Sequence, residues 1–193
     1  MKQLIQKLTD YTRVNGGHET RHYLGLSQLH RDEEELVQDM INGSQEASDA
    51  DVLKLALGYV VEEDIRKRLE GIGLAMPNTS FEIYADYDQR VKGHIDGMTN
   101  KGNQIYEIKS CVQAQLDFIR NNGDKLPKRH FNQVQAYMHH GRFKSCLMVY
   151  VARDTGEIWT KEVFYLPVVG ASIEQKAKSV LKMYDDALLK NKY

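Results

Sequence analysis

Residues 91–110, VKGHIDGMTNKGNQIYEIKS, restrict the fold of this chain more than any other stretch, because they set two carboxylates and an amine on what reads as one β-hairpin. The flanking runs alternate or carry β-branched and aromatic residues, and the Gly-containing NKGN between them is a turn signal. With Lys101 and Gly102 central in that turn, Asp96 lies directly opposite Glu107. Alternation then puts His94, Asp96 and Met98 on one face with Ile105, Glu107 and Lys109. Val91, Ile95, Tyr106 and Ile108 form the other, core-facing side. Opposed Cβ atoms sit roughly 4.5–5.5 Å apart, so the two carboxylates repel unless they share a divalent cation such as Mg²⁺ or Mn²⁺. Without a cation the pair is destabilising; the alternative is that these charges are merely a solvated hairpin face.

The rest of the chain supplies elements around this hairpin. Residues 1–14 read as a short helix that NGGHE breaks. SQLHRDEEELVQDMI predicts a second helix with Ser27 as N-cap and acids in its early turns. DVLKLALGYVVEEDIRKRLEG sets Leu53, Leu57, Val60 or Val61, Ile65 and Leu69 at helical spacing, ended by Gly71 and Gly73. Within it Glu62 follows Gly58 by four residues, and a glycine there allows close approach of another backbone. SFEIYADY, RVKGHIDGM and QIYEIKS read as three strands. LPKRHFNQVQAYMHHG returns to a helical period with Phe131, Val134 and Met138 on one stripe, and Gln133 and Tyr137 project together from another face. SCLMVYVARDTGEIWTKEVFYL is a hairpin turning at DTGE, and an amphipathic helix closes the chain. The pattern is α+β, a central mixed sheet of about five strands flanked by helices. It fits one domain over residues 1–193, with residues 1–50 as a helical N-terminal arm.

Formal net charge is −1, so attraction for a polyanion has to come from a local patch. Residues 117–144 offer one: Arg120, Lys125, Lys128, Arg129, Arg142 and Lys144 against Asp117 and Asp124. A loop solvated by its lysines is the alternative. No apolar run approaches the roughly 20 residues of a membrane span, and MKQLIQKLTDYTRV lacks the apolar core of a signal peptide. Cys111 and Cys146 are read as buried thiols of a reducing cytosol.

Taken in order, GYVVEED, GHIDG, EIK and QVQAY resemble the motifs of the PD-(D/E)XK nuclease superfamily, in its RecB-like and lambda-type phage exonuclease branch. The likeness runs from about residue 53 to 187, and HYLGLSQLHR is more loosely similar to the segment that precedes the first motif in phage members. It implies a restriction-endonuclease-like core and a metal-dependent DNA exonuclease of recombination or repair, phage-encoded or bacterial, acting in the cytoplasm. A structure-specific endonuclease or resolvase, and a non-catalytic DNA-binding module, are the alternatives on the same fold. Carried over, Asp96 and Glu107 bind Mg²⁺ or Mn²⁺ with the Ile108 carbonyl, and Glu62 completes the site. Lys109 contacts the nucleophile or phosphate, with Gln133 and Tyr137 in support; Gln135 is a second candidate for the glutamine role. Lys125, Lys128, Arg129, Arg142 and Lys144 are the nucleic-acid-binding candidates. DNA is the implied partner, in a homo-oligomer or beside a recombination or single-strand-annealing protein. Some relatives carry an iron–sulfur cluster on four cysteines, which two cysteines cannot supply.

Overall fold

A computed structural model describes residues 7, 9–12, 21–44 and 48–190. In chain order these form β1 (Leu24–Gly25), a 3₁₀ turn (Leu26–Gln28), α1 (Glu33–Asn42), α2 (Asp49–Gly71), β2 (Phe81–Ala85), β3 (Asp88–Ile95), β4 (Gly97–Met98) and β5 (Gln104–Cys111). There follow α3 (Gln113–Asn121), α4 (Lys128–Gly141), β6 (Ser145–Ala152), β7 (Ile158–Phe164) and α5 (Pro167–Lys190). The α+β pattern expected from the sequence is present. The helix expected over residues 1–14 falls largely outside the described residues, although 7 and 9–12 are helical.

The hairpin has the expected register, Gly97 opposite Tyr106 and Met98 opposite Ile105. Beyond it the expected single sheet divides. β4, β5, β6 and β7 form one sheet of four strands, while β1, β3 and β2 form another of three. The division falls at Asp96: β3 pairs with β2 as far as Ile95 opposite Phe81, and pairing with β5 starts at Gly97. That break resets the side-chain alternation. Val91 and Ile95 enter the same buried cluster as Ile105, not the one containing Tyr106 and Ile108, and His94 turns outward to Ser80 Oγ (2.7 Å).

β5 runs parallel to β6, with Glu107 beside Met148 and Lys109 beside Tyr150. A parallel pair is covered on both faces. On one, Tyr106, Ile108, Val149 and Val151 pack against Ile65 and Ala75. On the other, Ile105, Cys146, Met148 and Tyr150 pack under Val134, Ala136, Tyr137 and Met138 of α4. The face expected to be a charged hairpin surface is therefore interior.

Several local expectations change for identifiable reasons. Asp32, not Ser27, caps α1, its side chain accepting from Glu34 N (3.0 Å), while Ser27 lies in the 3₁₀ turn and its carbonyl meets His30 Nδ1. Leu24, Leu26, Leu36 and Met40 are buried with the sheet residues, so this part of the expected arm is built into the core. In α2 only Val52 and Ile65 are buried; Leu53, Leu57 and Val60 are exposed, because the helix meets the sheet through its C-terminal half. Gly58 has no close neighbour and makes no close approach. α3 was not visible in the sequence, since nine residues with Leu116 and Ile119 inward carry little periodicity. Both cysteines are buried free thiols, and no helix among the described residues is long and apolar enough to cross a membrane.

A Cβ on Gly97 would stand 2.3 Å from the Tyr106 hydroxyl and 2.4 Å from its ring, and Tyr106 is 1% exposed. Gly97→Ala is therefore expected to destabilise the fold by about 1–3 kcal/mol through overpacking. Thermal melting checks this, and an unchanged melting temperature would show that the Tyr106 ring moves freely.

Candidate active site

The division at Asp96 frees its carboxylate from the strand pattern, and Oδ2 accepts the Ile108 amide of β5 at 2.6 Å. The side chain thus satisfies an amide that the departed β3 backbone leaves without a ladder partner. Glu107 is 2% exposed. Its Oε1 accepts from Lys109 Nζ (2.6 Å) and from Gln133 Nε2 (2.6 Å). Gln133 Nε2 also meets the Tyr137 hydroxyl at 3.0 Å. Gly93 makes room for that tyrosine, since a Cβ there would lie 2.5 Å from its ring. Of the two glutamines considered, Gln133 reaches the carboxylate. Gln135 is engaged elsewhere, donating to Phe164 O and accepting from Leu166 N at the end of β7.

Glu107 Oε2 is buried with no hydrogen-bond partner among the described residues. A buried carboxylate oxygen left this way costs about 1–3 kcal/mol or more. The electrostatics around it are consistent. Burial first, then Glu107 and Glu62, push the Asp96 carboxyl well above its ordinary value. Burial and then Glu107 push Glu62 upward as well. Burial opposes the Lys109 ammonium, but Glu107, Asp96 and Glu62 outweigh it and hold the lysine charged. Among the described residues no three acids, histidines or cysteines stand converged as a finished metal cage. Asp96 is turned to an amide and Glu107 to an amine and an amide, which leaves Oε2 of Glu107 open. Hard oxygen donors of this kind suit Mg²⁺ or Mn²⁺. The residues expected from the resemblance to hold such an ion are Asp96, Glu107, Glu62 and the Ile108 carbonyl; of the three acids, Asp96 and Glu62 both feel the charge of Glu107.

The basic candidates do not form one patch. Lys128 and Arg129 open α4, whereas Arg142 and Lys144 follow its far end, about 20 Å away at 1.5 Å rise per residue. Arg142 is paired with Asp86 (2.7 Å), and the Lys144 amide is bonded to Asn103 O. Lys125 is exposed in the loop before α4, at the end nearer the site. The segment is contiguous in sequence but is split by the helix it encloses.

Sequence reading missed His130. It lies three residues before Gln133 on α4, a spacing that could have pointed to it. Its Nδ1 lies 2.6 Å from the Tyr150 hydroxyl, and its Nε2 is 3.1 Å from Arg129 Nε. Burial, then the charges of Lys109 and Arg129, push the imidazole down to about 3, so it is neutral.

The fold is shared with solved exonucleases. The chain superposes on the crystal structure of the alkaline exonuclease LHK-Exo from Laribacter hongkongensis with a TM-score of 0.72, at 17% identity, over 90% of this chain and 94% of that one. On LHK-Exo in complex with dAMP the TM-score is 0.70, at 18% identity, over 89% and 93%. A phage-related exonuclease from Haemophilus somnus gives 0.61, at 13% identity, over 87% and 96%. No family model and no curated protein matches the sequence. The fold expected from the resemblance to phage exonucleases is thus the one observed.

The raised carboxyls carry a pH signature. Unfolded Asp and Glu release their protons near pH 4, whereas folded Asp96 and Glu62 keep theirs to higher pH. The folded state binds more protons in that window, so in a chelator stability falls as pH rises through it and recovers as pH is lowered toward about 4. Asp96→Asn is expected to melt higher than wild type at neutral pH in the chelator and to show a shallower fall. The same pH slope in both proteins would contradict the coupling of these acids.

Proposed function

We propose that this protein is a divalent-metal-dependent DNA exonuclease that hydrolyses phosphodiester bonds in recombination or repair. The observation that carries the proposal is the unpartnered Oε2 of buried Glu107, set beside Lys109 and two carboxyls that resist ionisation. The shared fold with exonucleases supports it, and the structure of one of them holds dAMP, a mononucleotide of the kind stepwise hydrolysis of a DNA end releases.

Asp96, Glu107 and the Ile108 carbonyl would hold the cation, with Glu62 completing the set. When bound, the ion supplies Lewis acidity that lowers the pKa of water and neutralises phosphoryl charge. Burial first, and then the mutual repulsion of the acids, disfavour ionisation of Asp96 and Glu62, and a bound cation would offset both. Lys109, anchored by Glu107, presents a fixed cation to the attacking water or to the charge that develops on phosphorus. Gln133 holds Oε1 of Glu107 from the other side, and Tyr137 holds Gln133. Products with a 5′-phosphate and a 3′-hydroxyl follow from the family resemblance. Lys125, Lys128 and Arg129 lie at the end of α4 that reaches the site, and are assigned to the DNA backbone. Arg142 and Lys144 are not.

Incubation of end-labelled linear DNA and a closed circle with Mg²⁺, Mn²⁺ or a chelator tests the activity. Release of nucleotides from the linear form only, and only with metal, is expected; nicking of the circle would make the enzyme an endonuclease. Lys109→Met keeps the apolar stem and removes charge and donors, so turnover is expected to fall about 10²–10³-fold. The protein should still gain thermal stability from Mg²⁺ or Mn²⁺. Wild-type turnover in this variant would remove the lysine from the chemistry.

Lys128→Ala with Arg129→Ala is expected to flatten the salt dependence of DNA binding by about 0.7–0.9 in slope per lost phosphate contact. Arg142→Ala with Lys144→Ala should leave it unchanged. The reverse result would place the DNA at the opposite end of α4.

A further inference from the structure

Arg129 differs from most other arginines of the described chain in what it faces. Arg31, Arg66, Arg90, Arg120 and Arg142 are each paired with a carboxylate. Arg129 donates Nε–H to a neutral ring nitrogen, His130 Nε2, at 3.1 Å. A guanidinium can only donate, so that nitrogen must carry the lone pair. The ring proton is then on Nδ1 and is donated to the Tyr150 hydroxyl at 2.6 Å. Tyr150 is 1% exposed, is tilted against Trp159 with centroids 5.7 Å apart, and stands opposite Lys109 in the strand register. A chain of hydrogen bonds therefore runs from Tyr150, the register neighbour of Lys109, through His130 to the arginine. Neither Nη nitrogen of Arg129 has a hydrogen-bond partner among the described residues, and together they form the planar fork that matches two phosphate oxygens.

We infer that His130 is a positioning residue that fixes the Arg129 guanidinium for a DNA phosphate adjoining the scissile one. The inference rests on the nuclease reading for the identity of the anion, but the fixed arginine itself is a property of the free protein. A guanidinium already held by Nε loses less freedom when it meets the phosphate, so the contact strengthens binding. It acts on substrate and transition state alike, which raises KM when it is lost and leaves kcat in place.

Asn and Gln each reproduce one half of the imidazole. His130→Asn can still donate to Tyr150 but cannot reach Arg129, while His130→Gln can place its carbonyl oxygen near the Nε2 position. In the full-length protein with Mg²⁺ and a linear duplex, Arg129→Ala and His130→Asn are each expected to raise KM about tenfold, the size of one charge-assisted hydrogen bond. The salt slope of kcat/KM should flatten by about 0.7–0.9 in both. His130→Gln should behave as wild type, and the double variant Arg129→Ala with His130→Asn should be no worse than either single one. If His130→Asn melts early, Arg129→Ala at its exposed position and His130→Gln still carry the comparison. Separately, ¹⁵N NMR of the free wild type should show a slowly exchanging Arg129 Nε–H, lost in His130→Asn, and the Nδ1–H tautomer of His130. Wild-type KM in His130→Asn, additive losses in the double variant, or a freely exchanging Arg129 Nε–H would each overturn the inference. A wild type that neither binds nor cleaves DNA would overturn the nuclease reading, and the NMR result alone would then decide whether His130 holds the arginine.

Discussion

The hydrogen bond from the Ile108 amide to the Asp96 carboxylate is the contact on which the arrangement of this molecule turns. It stands where one sheet ends and another begins. Had β3 continued straight into β4, Asp96 would be one more residue in a ladder and Ile95 would share a face with Tyr106. Instead the chain bends, Ile95 joins the cluster under α4, and a carboxylate takes over the amide that the bend exposes. The acid is thereby held half-buried beside buried Glu107, at a cost that a proton or a cation would offset.

The same cost recurs through the site. Glu107 accepts from donors on one oxygen, while the other, buried, has no hydrogen-bond partner among the described residues. A core built for stability alone would not leave a buried carboxylate half satisfied, and such unpaired groups concentrate where a ligand is to bind. The surrounding core is ordinary by contrast, with aliphatic residues and methionine closely packed on both faces of a parallel strand pair. The polar network of Thr99, Gln104, Ser145 and Glu162 at the other end of those strands has its donors and acceptors paired. The contrast between a satisfied network and an unsatisfied one, on the same strand, separates the two ends of the sheet, and the proposed site lies at the unsatisfied end.

Much of this was legible because it depends on short-range pattern. Turn chemistry at residues 100–103 gave the hairpin register, and the spacing of Glu107 and Lys109 put both on one strand face. Helical spacing joined Gln133 to Tyr137. Facing residues across a turn and neighbours along a helix are set by backbone geometry, which local sequence specifies. The choice between Gln133 and Gln135 was not legible, since both lie on α4 and only the position of β7 decides which is diverted. Nor was the separation of Lys128 and Arg129 from Arg142 and Lys144, which are close in sequence and stand at opposite ends of a helix.

The sequence by itself determined most of the elements, though not α3 or the division of the sheet, together with the hairpin register and the placement of Asp96, Glu107 and Lys109 on it. Those follow from side-chain periods and turn residues, which act over a few positions. Tertiary structure alone decided that the charged face of the hairpin is interior, that Asp96 ends a sheet, that Glu107 keeps an oxygen without a partner, and that His130 faces Arg129. Each of these depends on which distant element lies across from a residue, and burial by α4 and β6 is a property of packing that no local pattern encodes.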